Sequence, residues 1–130
     1  MKKIIALLLV LLMLLPLTPA MAEDTDMIAV YAQVPADWTY PCVWSWNEAG
    51  ENAFAAWPGD MMIPDAKNPG WYYIYVPAGM EQVIINDNDA GVQTDAVAIN
   101  KQNAWITVAE DKTAAVSFEQ KTEGTLPAYS

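Results

Sequence analysis

After its first two dozen residues the chain is broken so often by proline, glycine, asparagine and aspartate that no stretch is long enough for an amphipathic helix. What lies between the breaks is short and alternating. From Met27 to Val34, Ile28, Val30, Ala32 and Val34 fall on one side and Ala29, Tyr31 and Gln33 on the other, and Pro35 ends the run. Cys42 to Trp46 places Cys42, Trp44 and Trp46 on one face with Val43 and Ser45 opposite. Trp71 to Val76 is the clearest strand, with Trp71, Tyr73 and Tyr75 on one face and Tyr72, Ile74 and Val76 on the other. Gln82 to Asn86 reads as a further strand, and Met61–Ile63, Val92–Ile99, Asn103–Val108 and Ala114–Phe118 as shorter candidates. Glu51 to Ala56 has room for one helical turn before Pro58-Gly59 stops it. Short strands without a long helix predict an all-β chain folded as a compact antiparallel β-sandwich, immunoglobulin-like in broad architecture. Cys42 is the single cysteine, so the fold has no intrachain disulfide and rests on packing.

The first 22 residues read as a signal peptide. Lys2 and Lys3 precede an uncharged, Leu-rich stretch from Ile4 to Leu17, and Ala20-Met21-Ala22 has the small residues a signal peptidase reads. Cleavage before Glu23 leaves 108 residues, enough for one modest core. The expected organisation is a leader over 1–22, one module over 23–120 and a flexible polar tail over 121–130. The expected location is secreted, extracellular or held at a cell surface by partners, because no cysteine near residue 23 can accept a lipid. The mature part carries 4 lysines against 16 acids, a net charge of -12. A surface of that sign repels phosphate backbones and anionic lipid, which argues against nucleic-acid and membrane partners.

Chemistry is limited by what is missing. With no histidine and one cysteine, Ser-His-Asp, Cys-His and zinc-deaminase sites are unavailable. Asp87-Asn88-Asp89 invites a calcium reading, with Asp95 as a fold-back ligand, but the twelve-residue EF-hand pattern is absent; the expectation is no metal and no cofactor. A carboxylate glycosidase needs an acid pair across a cleft that encloses a sugar, and a domain this small argues against it. What is abundant is aromatic surface. All six tryptophans, six tyrosines and two phenylalanines lie in the mature part, more indole than a small core buries. Flat rings beside amides and carboxylates suit a sugar, whose C–H face needs apolar cover while its hydroxyls need hydrogen bonds. Trp44, on a short strand, and Trp57, beside a Pro-Gly turn, are the leading platform candidates. Trp46 extends the same face, Tyr40 and Trp38 flank a cleft before Pro41, and Trp71 and Trp105 read as core. Gln93 and Thr94, with Asn86 and Asn88, supply donors and acceptors.

The segments Cys42-Val43-Trp44-Ser45-Trp46-Asn47, Ala56-Trp57-Pro58-Gly59 with Met61-Met62, Trp71 to Pro77, Val83-Ile84-Ile85-Asn86 and Gln93-Thr94 occur in an order that resembles the starch-binding carbohydrate-binding modules of family 26, and more distantly family 25. The resemblance spans Met27 to Asn100. It implies a β-sandwich that binds starch and α-1,4-linked maltooligosaccharides without cleaving them. It places a stacking ring at Trp44, where the family has tyrosine, and a second at Trp57, with Phe54 as the alternative register. The family's further upstream tyrosine falls on Cys42, a departure that Tyr40 can offset. The family's terminal polar motif puts its glutamine on Gln93. Expected partners are starch or another α-glucan, extracellular amylases or a starch-adherence assembly, with the chain itself monomeric. The competing reading is a secreted structural or protein-interaction module whose aromatics form the interface.

Overall fold

The computed structural model describes residues 26–88 and 91–126. The expected leader and its cleavage site, with Asp89 and the last residues of the tail, lie outside the described residues. Among the described residues the chain forms nine strands: β1 (Met27–Gln33), β2 (Cys42–Trp46), β3 (Asp60–Met61), β4 (Ile63–Pro64), β5 (Trp71–Pro77), β6 (Gln82–Asn86), β7 (Val97–Ala98), β8 (Ala104–Val108) and β9 (Ala114–Ser117). Sheet A has the order β4-β5-β1-β8-β9 and sheet B the order β3-β2-β6-β7. The expected β-sandwich is therefore present.

The alternation read from the sequence decides what lies between the sheets. Val30 and Ala32 of β1, Val43 of β2, Ile74 and Val76 of β5, Val83 and Ile85 of β6, and Ile106 and Val108 of β8 form one buried cluster, joined by Trp38 and Met80. Trp38 is thus core rather than cleft wall. Ser45 also points inward and is fully buried, so its hydroxyl donates to the Gln82 carbonyl at 2.9 Å instead of going unpaired.

Three details go beyond the sequence pattern. The run at Met61–Ile63 is split between the sheets: β3 pairs with β2, β4 pairs with β5, and Met62 between them is buried in the core. The chain crosses from one sheet to the other at that side chain. From Val92 to Ile99 only Val97–Ala98 is strand, with an isolated bridge at Gln93. Thr94 lies in the gap: its N–H still donates to the Ile85 carbonyl (2.9 Å), but the return bond from the Ile85 N–H goes to its Oγ1 (3.2 Å), which donates in turn to the Asp95 carbonyl (2.8 Å), so a side chain stands in for one main-chain acceptor. The stretch Glu51–Ala56 makes bends and a bridge from Asn52 to Trp46 rather than a helical turn. The most consequential detail is β1, which is antiparallel to β5 but parallel to β8, with Val30 opposite Ala104.

The first residues after 120 are tied to the body. Thr122 is buried, and its Oγ1 accepts from the Trp105 indole N–H at 3.1 Å. Gln120 Nε2 donates to the carbonyls of Thr122 and Gly124, while the Glu123 N–H donates to Asn68 Oδ1 at 2.8 Å. Among the described residues no helix is long and apolar enough to cross a membrane.

Candidate functional site

Strand β2 sends Val43 and Ser45 into the core, so Cys42, Trp44 and Trp46 point out of sheet B, the face their spacing predicts. The register gives their neighbours. Cys42 lies between Met61 and Asn86, and Asn86 bridges to Gln93, which makes one row across the sheet. Trp44 stands opposite Ile84 in the next row, and Trp46 opposite Gln82 in the one after.

Trp57 reaches this face through the turn that follows it. Gly59 has φ +94°, and a Cβ there would stand 1.8 Å from the Val43 carbonyl oxygen. Only glycine lets the turn lie this close against β2. The peptide before it, Trp57-Pro58, is cis. Asn86 Nδ2 donates to the Pro58 carbonyl at 3.2 Å and fixes the same turn from β6. The result is a pair of indoles, Trp44 and Trp57, with ring centroids 6.3 Å apart and planes at 65°. Trp57 remains 37 % exposed. Phe54, the alternative register, packs instead against the core cluster.

Tyr40 stands just before β2, and at 51 % exposure its ring is open to solvent. Its position is set by Asp87, whose Oδ1 accepts from the Thr39 N–H (2.9 Å) and the Tyr40 N–H (2.6 Å). The acidic loop thus spends one carboxylate oxygen on backbone donors, and no cluster of three metal-ligating side chains occurs among the described residues. Asn86 Oδ1 accepts from the Asn88 N–H at 2.8 Å, so this buried amide ties both bordering loops to β6 and has a positioning role. Cys42 is buried beneath Tyr40, donating from Sγ to the Tyr40 carbonyl at 3.3 Å. Burial pushes its thiol pKa up, and Asp87 and Asp60 add to the effect against a hydrogen bond from the Asn88 backbone. It is an unreactive spacer, not a nucleophile. Tyr40, Cys42, Gly59, Asp60, Met61 and Asn88 line a cavity of about 300 Å³ at this end of the face.

Gln93 sits two strands away from β2 and lines a separate polar cleft of about 400 Å³ with Asp95, Lys112 and Thr113. The sequence candidates therefore divide into a contiguous pair, Trp44 and Trp57, and three outliers: Trp46 along β2, Tyr40 beyond its start and Gln93 across the sheet. Thr94 is buried and serves the backbone, not a ligand.

Residues 30–99, which hold all of this face from β2 to Gln93, match the family CBM26, starch-binding module 26. The chain belongs to that family. CBM26 modules bind starch without cleaving it, and this CBM26 module accordingly binds carbohydrate and is not an enzyme. Among solved structures it is similar to CBMbc, the CBM26 module of Amy13K from Eubacterium rectale crystallised in complex with maltoheptaose, with 17% identity, a TM-score of 0.58 and 75% of this chain covered. That match takes in 51% of the Eubacterium rectale chain, about half its length. The CBM25-2 module of the beta/alpha-amylase from Paenibacillus polymyxa gives 14% identity and a TM-score of 0.57, covering 75% of this chain and 96% of that one. Its neighbour CBM25-1 gives 13% and 0.55, covering 73% and 95%. At these identities the likeness is one of fold. No curated protein sequence matches the chain significantly.

Proposed function

We propose that this module holds α-1,4-glucan on the outer face of sheet B, with Trp44 and Trp57 as the stacking rings. The observation that carries the reading is the Trp44–Trp57 pair itself. The two indoles are held at 65° by a glycine that no other residue can replace without moving the turn. Two rings inclined to one another offer apolar faces in two directions, which suits a curved glucan better than a flat one. Carbohydrate-derived C–H groups lie against the ring faces while hydroxyls are left to polar neighbours. Gln93, at the far end of the row that begins at Met61, and Tyr40, just before β2, serve in this reading as polar and aromatic contacts for sugars bound beyond the tryptophan pair. Trp46 continues the platform along β2.

Replacing either stacking tryptophan by alanine removes contact worth about 1–3 kcal/mol. That is a roughly 5–150-fold weaker site. Calorimetry with maltoheptaose, using a cellulose-derived oligosaccharide as the stereochemical control and circular dichroism to check folding, tests it. Undiminished binding in both folded variants would move the site elsewhere. Binding lost to glucan but retained to a protein would favour an aromatic protein interface instead. In this reading the chain is a secreted monomer that brings starch within reach of separate amylases or a starch-adherence assembly.

A further inference from the structure

The opposite side of the sandwich carries aromatic rings that the Trp44–Trp57 face does not use. A sheet with one face in the core ordinarily turns polar residues outward on the other. On sheet A the register instead sets Ile63, Tyr73, Tyr31 and Trp105 in one row across four strands. Tyr31 stacks on Trp105 at 5.3 Å and 11°, and both are closed over by the segment around Thr122 and Leu126. Tyr73 is only partly covered. It leans on Tyr31 (5.7 Å, 35°) and meets Tyr75 edge-on (5.9 Å, 78°), so its ring is held in place before any ligand arrives. Beside Tyr73 lies a cavity of about 280 Å³ whose other walls include Asp65, Lys67, Glu123 and Thr125.

We propose that this cavity is a second carbohydrate site, which takes a single sugar ring of an α-glucan against Tyr73. The choice of sugar class rests on the reading of the tryptophan face; the choice of a sugar-like ligand rests on the cavity. Its lining joins aromatic rings to a cation, carboxylates and a hydroxyl, the mixture a neutral polyhydroxylated ring requires, and the opposed charges favour no ionic ligand. Its volume is at the low end for small-molecule pockets, room for one ring and not a long chain. Asp65 belongs to the wall, since its oxygens already accept from the Lys67 N–H (3.1 Å) and from Asn68 Nδ2 (2.9 Å). Asn68 in turn donates to the Glu123 carbonyl (3.2 Å) and accepts from the Glu123 N–H (2.8 Å), which fixes the far wall. The side chains of Lys67, Glu123 and Thr125 are left to meet hydroxyls. Two sites on opposite faces make the module bivalent, able to join neighbouring glucan chains.

Calorimetry of the full chain with maltoheptaose, together with precipitation of soluble amylopectin, tests the proposal. The expected stoichiometry is about two ligands per chain, and the protein precipitates amylopectin. Tyr73→Ala lowers the stoichiometry to about one and abolishes precipitation, while the surviving tryptophan site reports that the variant is folded. Lys67→Ala and Glu123→Ala, both on the surface, weaken the second site several-fold without touching the first. The double variant Trp44→Ala, Trp57→Ala keeps the second site alone. One ligand per wild-type chain, lost with the tryptophans and indifferent to Tyr73, Lys67 and Glu123, overturns the second site and leaves the first. One ligand lost with Tyr73 and indifferent to the tryptophans overturns the first reading and keeps this one.

Discussion

At Gly59 a single missing Cβ decides whether Trp57 can stand beside Trp44. Gly59→Ala forces a left-handed φ on a residue with a side chain and drives that side chain into the Val43 carbonyl, so the turn must lift from β2. We expect a loss of about 1–3 kcal/mol in urea unfolding, accompanied by weaker maltoheptaose binding in the molecules that remain folded. A phenylalanine-for-tryptophan change at Trp57 alters the ring and leaves the turn, so it separates the two effects. Tyr31 supplies a prediction of another kind. Burial first, then Asp65 and the neighbouring tyrosines, push its phenol up from 10.0 to about 12, against a hydrogen bond with Thr122. The unfolded chain therefore ionises at lower pH than the folded one. The stabilisation is fully present below pH 10 and is lost as pH rises through about 12. Its size is of order 2–3 kcal/mol. Stability measured across that window, with ultraviolet titration of the phenols, should show Tyr31 ionising with unfolding and Tyr31→Phe flattening the decline.

Strands β2, β5 and β6 were legible because a strand has only two faces. Once Val43 and Ser45 are inward, Trp44 and Trp46 have nowhere else to point, and the same parity separates Trp71, Tyr73 and Tyr75 from Tyr72, Ile74 and Val76. Parity says nothing about which strand lies alongside. The closeness of Trp57 to Trp44 depends on a turn docking across the sheet, and the stack of Tyr31 on Trp105 on a parallel pairing of distant strands. Trp105 reads as core from its strand pattern and is buried, yet in a separate cluster outside sheet A. The element that buries it is the segment after β9, whose polar composition suggests a loose end while Thr122 meets the indole N–H. Thr122→Val removes that acceptor at nearly constant shape. We expect a cost of about 1–3 kcal/mol for the stranded buried donor, read as a lower urea midpoint, with glucan affinity at the tryptophan face unchanged.

The whole molecule carries a formal charge of -10, and among the described residues one ion pair appears, Lys101 Nζ to Glu81 Oε2 at 3.9 Å near the surface. Repulsion between acids is thus largely uncompensated, while starch has no charge to attract or repel. Raising salt from about 0.01 to 0.15 M should increase the melting temperature by screening that repulsion. Maltoheptaose affinity should stay constant over the same range; a steep salt dependence would point to an ionic ligand instead. The parallel pairing of β1 with β8 bears on how such a molecule comes into being. Tyr31, in the first strand, waits for Trp105, and the residues that align with the family end at Ile99, before β8 is reached. A chain stopped there would contain the whole tryptophan corner and still leave β1 with one raw, hydrogen-bond-hungry side, inviting a second copy to fill it. Pairings this distant in sequence close slowly. Completion of sheet A therefore waits on a strand that lies beyond the family match and has no part in the tryptophan corner.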